Sequence, residues 1–385
     1  MDADISYFAE TNFRNRPVPF GIRQGDRLSH MLALGRTGAG KSTLLLNLIQ
    51  QDLKAGRGFA LIDPHGDLAD AVAKGAEGQV IYLNVPDPIQ PFGYNPLRRV
   101  RDDKIPLAAS GLLETFRKLW PTAWGIRMEH LLRNSLYALL ERDGSTLPDI
   151  LRLYSDDGFR RGVTRSIRNP VVRSFWRNEF EQYPPRLRVE ACAPIQNKLS
   201  ALLSDPTLYR ILVNPSRDLH LRTMMDSGQA LVVNLSRGQL GEDSALTLGA
   251  LMLSTLGLAG FSRADVPETQ RRPFFIYADE FHLFTTLSLV SMLAELRKHA
   301  VGMILATQHL AALEADIRHA LLGNVGTVVS FRLGVEDASL IAREMHPVFG
   351  ADDLLNLPNF HIYVKLMIDG APGKPFSAKT IKYIY

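Results

Sequence analysis

The hydrophobic positions of this 385-residue chain follow two patterns. In the first, short apolar runs alternate with helix-length segments and end in polar or glycine-rich residues, which is typical of strands joined by helices. These runs cover residues 30–35, 58–63, 79–84, 229–236, 273–278, 302–307 and 326–333. In the second pattern, between about 103 and 227, apolar residues recur at helical spacing and strand-like runs are almost lacking.

Together the two patterns predict an α/β fold with a helical insertion. Strands that alternate with helices form a mainly parallel sheet with both faces covered. We expect an N-terminal segment at 1–28, an α/β domain in two parts at 29–102 and 229–385, and an inserted all-α domain at 103–228. The residues from 360 onward predict a C-terminal antiparallel hairpin at an edge of the sheet.

One uncharged apolar run, Ala245–Phe261, raises the question of a membrane span. It is a little shorter than the about 18–20 residues that a span requires, and its glycines and hydroxyl groups favour a buried helix. The first 21 residues carry acidic side chains and no apolar run of signal-peptide length. The single cysteine, Cys192, fits a reducing compartment. We therefore expect no membrane insertion by this chain and a cytoplasmic location, with any membrane association made through partners.

Positive charge is concentrated in the helical insertion. The formal net charge is +4, and residues 103–228 hold 19 Lys and Arg against 14 Asp and Glu. One segment is rich in arginine: Arg152, Arg160, Arg161, Arg165, Arg168, Arg173, Arg177, Arg186 and Arg188. The guanidinium group suits phosphate binding, but acidic residues are interleaved. Two interpretations stay open, a nucleic-acid contact, or a solvated face or subunit interface.

The first predicted strand leads into GRTGAGKST, which matches the P-loop pattern G-x-x-x-x-G-K-[ST] without substitution. The residues of this loop are Gly35, Arg36, Thr37, Gly38, Ala39, Gly40, Lys41, Ser42 and Thr43. In such loops the backbone N–H groups wrap phosphates at a helix N-terminus. Lys41 would reach the outer phosphates and the Ser42 hydroxyl would coordinate Mg²⁺, so the segment predicts a nucleoside triphosphate site.

Polar residues at the ends of other predicted strands supply candidates for the rest of this site. Asp279 is expected in the Mg²⁺ shell, and Glu280 is placed to polarise the attacking water, which favours a hydrolase. Gln308 either senses the terminal phosphate or caps the next helix. Asp63 either supports the site or stabilises the turn before a proline. No histidine or cysteine spacing indicates a further metal site.

The order of the motifs is more specific than any one of them. The order is HMLALGRTGAGKSTLL, GFALIDPHGDL, FGYNPL, the helical insertion, LVVNLSRGQLG, FFIYADEFHLF, ELRKHAVGMILATQHL and GNVGTVVSFRLGVEDA. It closely resembles the conjugative coupling ATPases of type IV secretion, members of the FtsK/HerA superfamily of hexameric DNA-pumping motors. The resemblance runs from about residue 20 to the C-terminal hairpin. It implies a RecA-like P-loop NTPase core that binds ATP and Mg²⁺ and forms a homo-oligomeric ring around DNA, a hexamer as in this superfamily.

The resemblance also implies roles for individual residues. Lys41 and Ser42 would be the Walker A pair, and Asp279 and Glu280 the Walker B pair. Gln308 would be the sensor. Arg297 matches the arginine that reaches into the nucleotide site of a neighbouring subunit, and Arg332 is a second candidate. For each arginine the alternative is a surface salt bridge. An arginine supplied in trans neutralises charge in the transition state, so the site of a single copy would be incomplete.

Three functions are compatible with these features. The leading one is an ATP-hydrolysing translocase that moves DNA, without sequence preference, for conjugative transfer alongside a relaxase or secretion channel. The second is a HerA-like ATPase for DNA-end processing or phage defence with a nuclease partner. The third is a protein-recruitment module that DNA does not stimulate. Membrane-bound coupling proteins carry N-terminal membrane helices, so we expect a soluble relative, or an anchor on another chain or outside this sequence.

Overall fold

The computed structural model describes residues 4–12, 16–76 and 78–381. The strands are β1 (Ile5–Thr11), β2 (Pro19–Arg23), β3 (Met31–Leu34), β4 (Gly58–Asp63), β5 (Val80–Asn84), β6 (Phe92–Gly93), β7 (Arg217–Asp218), β8 (Ala230–Asn234), β9 (Phe274–Ala278), β10 (Val301–Thr307), β11 (Thr327–Ser330), β12 (His361–Lys365), β13 (Met367–Ile368), β14 (Ala371–Pro372) and β15 (Phe376–Thr380).

Helices connect most of these strands. They are α1 (Gln24–Arg27), α2 (Lys41–Lys54), α3 (Asp67–Gly75), α4 (Ile105–Leu119), α5 (Ile126–Leu140), α6 (Leu147–Ser155), α7 (Asp157–Ser166), α8 (Pro170–Ser174), α9 (Pro185–Leu203), α10 (Pro206–Leu212), α11 (Leu221–Ser227), α12 (Arg237–Leu240), α13 (Glu242–Ser262), α14 (Ser288–Glu295), α15 (Ala315–Asn324), α16 (Val335–Met345) and α17 (Ala351–Leu355).

One sheet of 11 strands, in the order β2-β1-β15-β12-β11-β3-β10-β9-β4-β8-β5, organises the α/β part of the chain. The strands from β11 to β5 in this order are parallel to their neighbours. Those from β12 to β2 are antiparallel. The central strands β3, β4, β9 and β10 are buried along their whole length, as expected of parallel strands covered on both faces. The predicted fold class, a mainly parallel RecA-like sheet with antiparallel strands near the C-terminus, is confirmed.

The antiparallel part of the sheet differs from the sequence-based prediction in one respect. The C-terminal strands β12 and β15 pair as a hairpin, but they do not form the edge of the sheet. β1 pairs with β15 and β2 pairs with β1, so the residues predicted as a separate N-terminal segment extend the sheet instead. Residues 1–3, 13–15 and 382–385 of these two predicted segments lie outside the described residues.

The chain divides into two compact units. The first comprises Met1–Asn84, Leu221–Gln239 and Ala259–Tyr385 and contains the 11-stranded sheet. The second comprises Val85–His220 and Leu240–Leu258 and is mainly helical. It therefore starts before the predicted position 103. β6 precedes the helices, yet it pairs in parallel with β7, which follows them.

The apolar stretch that raised the question of a membrane span forms α13. The helical residues Glu242–Asp265 are long and apolar enough to cross a membrane by length and composition alone. However, 78% of the most apolar 18-residue window is buried inside the protein. This burial agrees with the prediction of a buried helix.

Candidate functional site

The P-loop begins where β3 ends and leads into α2. Because the loop follows the carboxyl end of β3, it lies at the carboxyl edge of the parallel strands, with β10 and β11 on either side of β3. Gly38 and Gly40 have φ angles of 75° and 128°, which other residues rarely adopt. A Cβ atom at Gly40 would also lie 2.8 Å from the ring of Phe331. The glycines thus allow the backbone conformation that leads the loop into the N-terminus of α2, where N–H groups attract anions.

Lys41 occupies the first position of α2 and is buried. Its ammonium group donates a hydrogen bond to the Gly35 carbonyl oxygen at 2.7 Å. The same group lies 3.5 Å from a carboxylate oxygen of Glu280. The positive charge therefore lies between the P-loop and the end of β9, where it can meet the outer phosphates of a nucleotide.

Asp279 and Glu280 follow β9 directly, and both side chains are buried. Glu280 has a φ angle of 43°, in the left-handed region that costs a residue other than glycine roughly 1–2 kcal/mol. Its N–H donates a hydrogen bond to Asp279 Oδ1 at 3.0 Å. Strain of this kind persists only where the surroundings fix it, and it is frequent at functional sites.

The surroundings of Asp279 make its carboxyl group difficult to ionise. Burial, together with the charges of Glu280 and Asp63, raises the pKa of Asp279 to about 7, although Lys41 opposes the shift. The described residues contain no group of three or more His, Cys, Asp or Glu placed to hold a metal ion. Mg²⁺ does not require such a group, because one or two carboxylates hold it and water and phosphate oxygens complete its shell.

Gln308 follows β10 and links the P-loop to Glu280. Its side-chain Oε1 accepts a hydrogen bond from the Thr37 hydroxyl at 2.6 Å. Its backbone N–H donates to Glu280 Oε2 at 3.2 Å. The next helix, α15, begins only at Ala315, so Gln308 does not cap it. Of the two sequence-based interpretations, this geometry favours the sensor.

His282 also contacts Glu280, and no role for it is predicted from the sequence. Its Nδ1 atom lies 2.8 Å from the Thr307 hydroxyl and 3.4 Å from Glu280 Oε2. The ring thus holds Glu280 against the end of β10. Its position two residues after Glu280 was visible in the sequence, but that spacing does not show that the chain turns back toward β10.

A cavity of about 490 Å³ joins most of the predicted residues. Its lining residues are Thr37, Gly38, Gly40, Lys41, Ser42, Thr43, Asp63, His65, Asp67, Leu68, Asp279, Glu280, Gln308 and Phe360. Gly35, Arg36 and Ala39 of the P-loop do not line it. Arg36 instead lines a second cavity of about 410 Å³, which Gln308 also borders.

Asp63 stabilises the turn that follows β4. Its Oδ1 accepts a hydrogen bond from the His65 N–H and its Oδ2 accepts one from the Ala69 N–H, both at 2.9 Å. These bonds fit the turn-stabilising interpretation of Asp63. Because the residue also lines the cavity, its negative charge still acts on Asp279.

The two candidate arginines lie in different places. Arg297 precedes β10, at the opposite end of this strand from Gln308, and it does not line the 490 Å³ cavity. It is exposed and forms no side-chain hydrogen bond or ion pair with any described residue. Arg332 follows β11, and its carbonyl oxygen accepts a hydrogen bond from the Arg36 N–H at 2.9 Å. Arg332 is thus beside the P-loop of its own chain.

The arginine-rich segment of the insertion is partly neutralised. Five of its arginines form ion pairs with acidic residues: Arg152, Arg160, Arg168, Arg186 and Arg188. Arg161, Arg165 and Arg177 are exposed and form no ion pair within the described part of the chain. The ninth, Arg173, donates a hydrogen bond to the Ile167 carbonyl oxygen at 2.8 Å.

Comparison with known structures identifies the fold. The unbound coupling protein TrwBdeltaN70, a bacterial conjugative protein, superposes with a TM-score of 0.68 at 16% identity, covering 98% of this chain and 90% of that one. TrwB in complex with ADP and Mg²⁺ superposes with a TM-score of 0.66 at 17% identity, covering 95% of this chain and 88% of that one. VirB4 of Thermoanaerobacter pseudethanolicus superposes with a TM-score of 0.65 at 14% identity, covering 100% of this chain and 97% of that one. At these identities the likeness concerns the fold.

Sequence comparison identifies the family. A search of curated protein sequences finds no match. The family model described as the central domain of the helicase HerA matches residues 12–252, which is more than half of the chain. The predicted resemblance to the FtsK/HerA superfamily is confirmed by this match. The chain belongs to the family of the HerA helicase central domain.

Proposed function

We propose that this protein hydrolyses ATP with Mg²⁺ in the P-loop cavity and uses the energy to move DNA through a ring of identical copies. The observation that carries the proposal is the convergence of Lys41, Asp279, Glu280 and Gln308 on one cavity at the carboxyl edge of the sheet. These residues come from the ends of two strands, β9 and β10, and from the P-loop that follows β3, and hydrolysis needs all of their functions at one place.

The cavity residues divide the chemistry among them. Lys41 and the P-loop N–H groups bind the phosphates, while Ser42 and Asp279 hold Mg²⁺. Glu280 orients the attacking water and accepts its proton. Gln308, bonded to both Thr37 and Glu280, transmits the state of the terminal phosphate along β10. The TrwB structures in complex with nucleotide analogues and with ADP and Mg²⁺ support these ligands.

The position of Arg297 supports a site shared between copies. Arg297 lies outside the cavity of its own chain and has no partner within the described residues, so its guanidinium is available to a neighbour. A guanidinium that enters from the next copy neutralises charge in the transition state and makes hydrolysis depend on assembly. We propose a ring of six copies, as in the FtsK/HerA superfamily. Arg332 is the second candidate for the arginine that enters the neighbouring site.

The proposed substrate is the phosphate backbone of DNA. Membership of the HerA family and the fold shared with a conjugative coupling protein support DNA over a protein cargo. The exposed guanidinium groups of Arg161, Arg165 and Arg177 offer a contact that does not read sequence. Binding of this kind weakens steeply with salt.

The test is ATPase activity measured against protein concentration, with and without DNA, at several salt concentrations. We expect the rate per chain to rise with concentration and with DNA. Arg297→Ala should lower the assembled rate by about 10³-fold or more, because arginine fingers contribute 10³–10⁵ to turnover. Lys298→Ala, the adjacent exposed cation, is the matched control and should retain activity. Equal rates with and without DNA at every salt concentration would favour the recruitment module instead.

A second candidate within the same class is DNA-end processing or phage defence with a nuclease partner. The match to the HerA model favours it, whereas the TrwB and VirB4 folds favour conjugative transfer with a relaxase or secretion channel. Affinity purification from the native cell distinguishes the two. A nuclease bound to the ring supports DNA-end processing, and a relaxase or channel subunit supports transfer.

A further inference from the structure

An aromatic ring lies at one end of the P-loop cavity. Phe360 lines the cavity together with Gly40, Lys41 and Thr43. Its Cδ1 atom is 3.1 Å from the point where a Cβ of Gly40 would stand, so the ring packs directly on the P-loop backbone. The side chain is nevertheless 38% exposed, which leaves ring surface free to meet a ligand.

Phe360 lies on the opposite side of the P-loop from the acidic pair. In the sheet order β12-β11-β3-β10-β9, the P-loop follows β3, Phe360 directly precedes β12, and Asp279 and Glu280 follow β9. Lys41 forms its ion pair on the β9 side, so the terminal phosphate belongs there. The other end of a bound nucleotide therefore extends toward Phe360.

The backbone holds the ring in this place at an energetic cost. Phe360 has a φ angle of 67°, a left-handed conformation that is unfavourable for a bulky side chain. Three hydrogen bonds fix it. The Phe360 N–H donates to the Ala39 carbonyl at 2.8 Å, and the Phe360 carbonyl accepts from the N–H and the hydroxyl of Thr380 at 2.8 and 3.1 Å. The conformation is thus tied to the P-loop on one side and to β15 on the other.

We propose that Phe360 is the platform on which the nucleobase of the bound nucleotide stacks. This inference rests on the proposed nucleotide site and adds the subsite for the base. An aromatic face stacks on any base without forming hydrogen bonds, so the platform supplies affinity and little discrimination between bases. The other ring that lines the cavity, His65, follows β4 on the side of the acidic pair and is placed for the phosphates.

The experiment compares two ligands that differ in the base. Binding of ADP and of inorganic pyrophosphate, each with Mg²⁺, is measured by calorimetry for the native chain and for Phe360→Leu. The variant should bind ADP about fivefold more weakly or worse, from the usual strength of base stacking, and pyrophosphate with unchanged affinity. Phe360→Trp should retain ADP affinity, which shows that the position tolerates substitution. Phe349→Leu, a partly exposed ring stacked on Tyr363 outside the cavity, is the matched control.

Three outcomes would overturn the inference. Equal weakening of both ligands by Phe360→Leu would mean that the ring only supports the P-loop, and unchanged ADP affinity would mean that the base lies elsewhere. A base-selective loss in His65→Leu instead would move the base to the other end of the cavity. If the native chain binds neither ligand, the proposed function itself fails.

Discussion

At the scale of single residues, Asp279 shows how burial and neighbouring charges alter the ionisation of a carboxyl group. Asp279 is buried beside two other carboxylates, and these surroundings raise its pKa to about 7. In the absence of a cation the carboxyl therefore keeps its proton far above its usual pKa, and ionisation of the folded protein is unfavourable. A bound Mg²⁺ would reverse this balance by stabilising the carboxylate.

The raised pKa predicts a pH-dependent effect of Asp279→Asn on stability. Between about pH 4 and 7 the folded state binds more protons at Asp279 than the unfolded state, so this carboxyl makes the protein less stable as pH rises. Asparagine removes that cost and retains the oxygen that accepts the Glu280 N–H. We expect the variant to raise the free energy of unfolding by up to about 4 kcal/mol at pH 8, and by clearly less at pH 5.

Denaturant unfolding at the two pH values, without nucleotide or Mg²⁺, measures this difference. Asp316→Asn, which changes an exposed aspartate that forms no side-chain hydrogen bond or ion pair with any described residue, controls for the general effect of removing a carboxylate. The same gain from Asp279→Asn at pH 5 and pH 8 would contradict the raised pKa.

Phe360 shows why part of the site escapes prediction from sequence. Lys41, Asp279 and Glu280 stand out because each follows a strand-like run within a recognisable motif. Phe360 follows no such run, and it reaches the P-loop only because β12 pairs with β11 next to β3. A residue whose position depends on the order of strands in a sheet leaves no local signal in the sequence.

At the scale of elements, β10 connects two parts of the proposed mechanism. Gln308 follows its carboxyl end and Arg297 precedes its amino end, in the turn Leu296–His299. The strand between them is buried along its whole length and pairs with β3 and β9. Such a rigid strand can couple the state of the phosphate at one end to a neighbouring copy at the other.

This arrangement predicts that Gln308→Ala separates hydrolysis from its stimulation by DNA. The substitution removes the Thr37 hydrogen bond but leaves Lys41 and the P-loop N–H groups, which bind the phosphates, so nucleotide affinity should stay within about twofold. The stimulation should fall by about fivefold or more, the lower range of coupling between sites. ATPase rates with and without DNA measure the stimulation, and calorimetry with ADP and Mg²⁺ measures the nucleotide affinity.

Gln270→Ala is the matched control, because Gln270 is an exposed glutamine that precedes β9 at the other edge of the sheet. It should leave both rates unchanged. If Gln308→Ala instead lowers the basal and the stimulated rate by the same factor, Gln308 acts in the chemical step and not in transmission.

Some strands could be predicted from the sequence more closely than others. The buried parallel strands read as uninterrupted apolar runs, and their sequence positions agree closely with β3, β4, β8, β9, β10 and β11. β1 and β2 contain partly exposed residues among their buried ones, which is a weaker pattern than a continuous apolar run. Their membership of the sheet depends on pairing with β15, which lies at the far end of the sequence.

At the scale of the whole molecule, the proposed ring predicts complementation between two inactive variants. Arg297→Ala keeps the cavity residues and lacks the proposed finger, whereas Glu280→Gln lacks the general base and keeps the finger. In mixed rings, some sites combine Glu280 of one copy with Arg297 of its neighbour. We expect an equimolar mixture with DNA to exceed the activity of either variant alone by about tenfold or more, given the 10³–10⁵ contributed by such an arginine.

The matched control is a mixture of Glu280→Gln with Lys41→Ala, because these two changes affect the same half of the site. That mixture should show no gain, since every site lacks one of the two residues. A gain in the control, or an activity of the first mixture equal to the mean of its parts, would contradict a site built from two copies.

The pairing of β1 with β15 sets the order in which the chain can complete its sheet during synthesis. β15 lies between β12 and the N-terminal pair β1 and β2. Although β1 and β2 are synthesised first, they can therefore join the sheet only after residues near 380 have left the ribosome. Pairing between distant segments is slow because a long loop must close first. Thr380, which fixes Phe360, belongs to the same late strand. A nascent chain therefore carries N-terminal strands that lack their partner β15, and it gains a complete nucleotide cavity only at the last stage of folding.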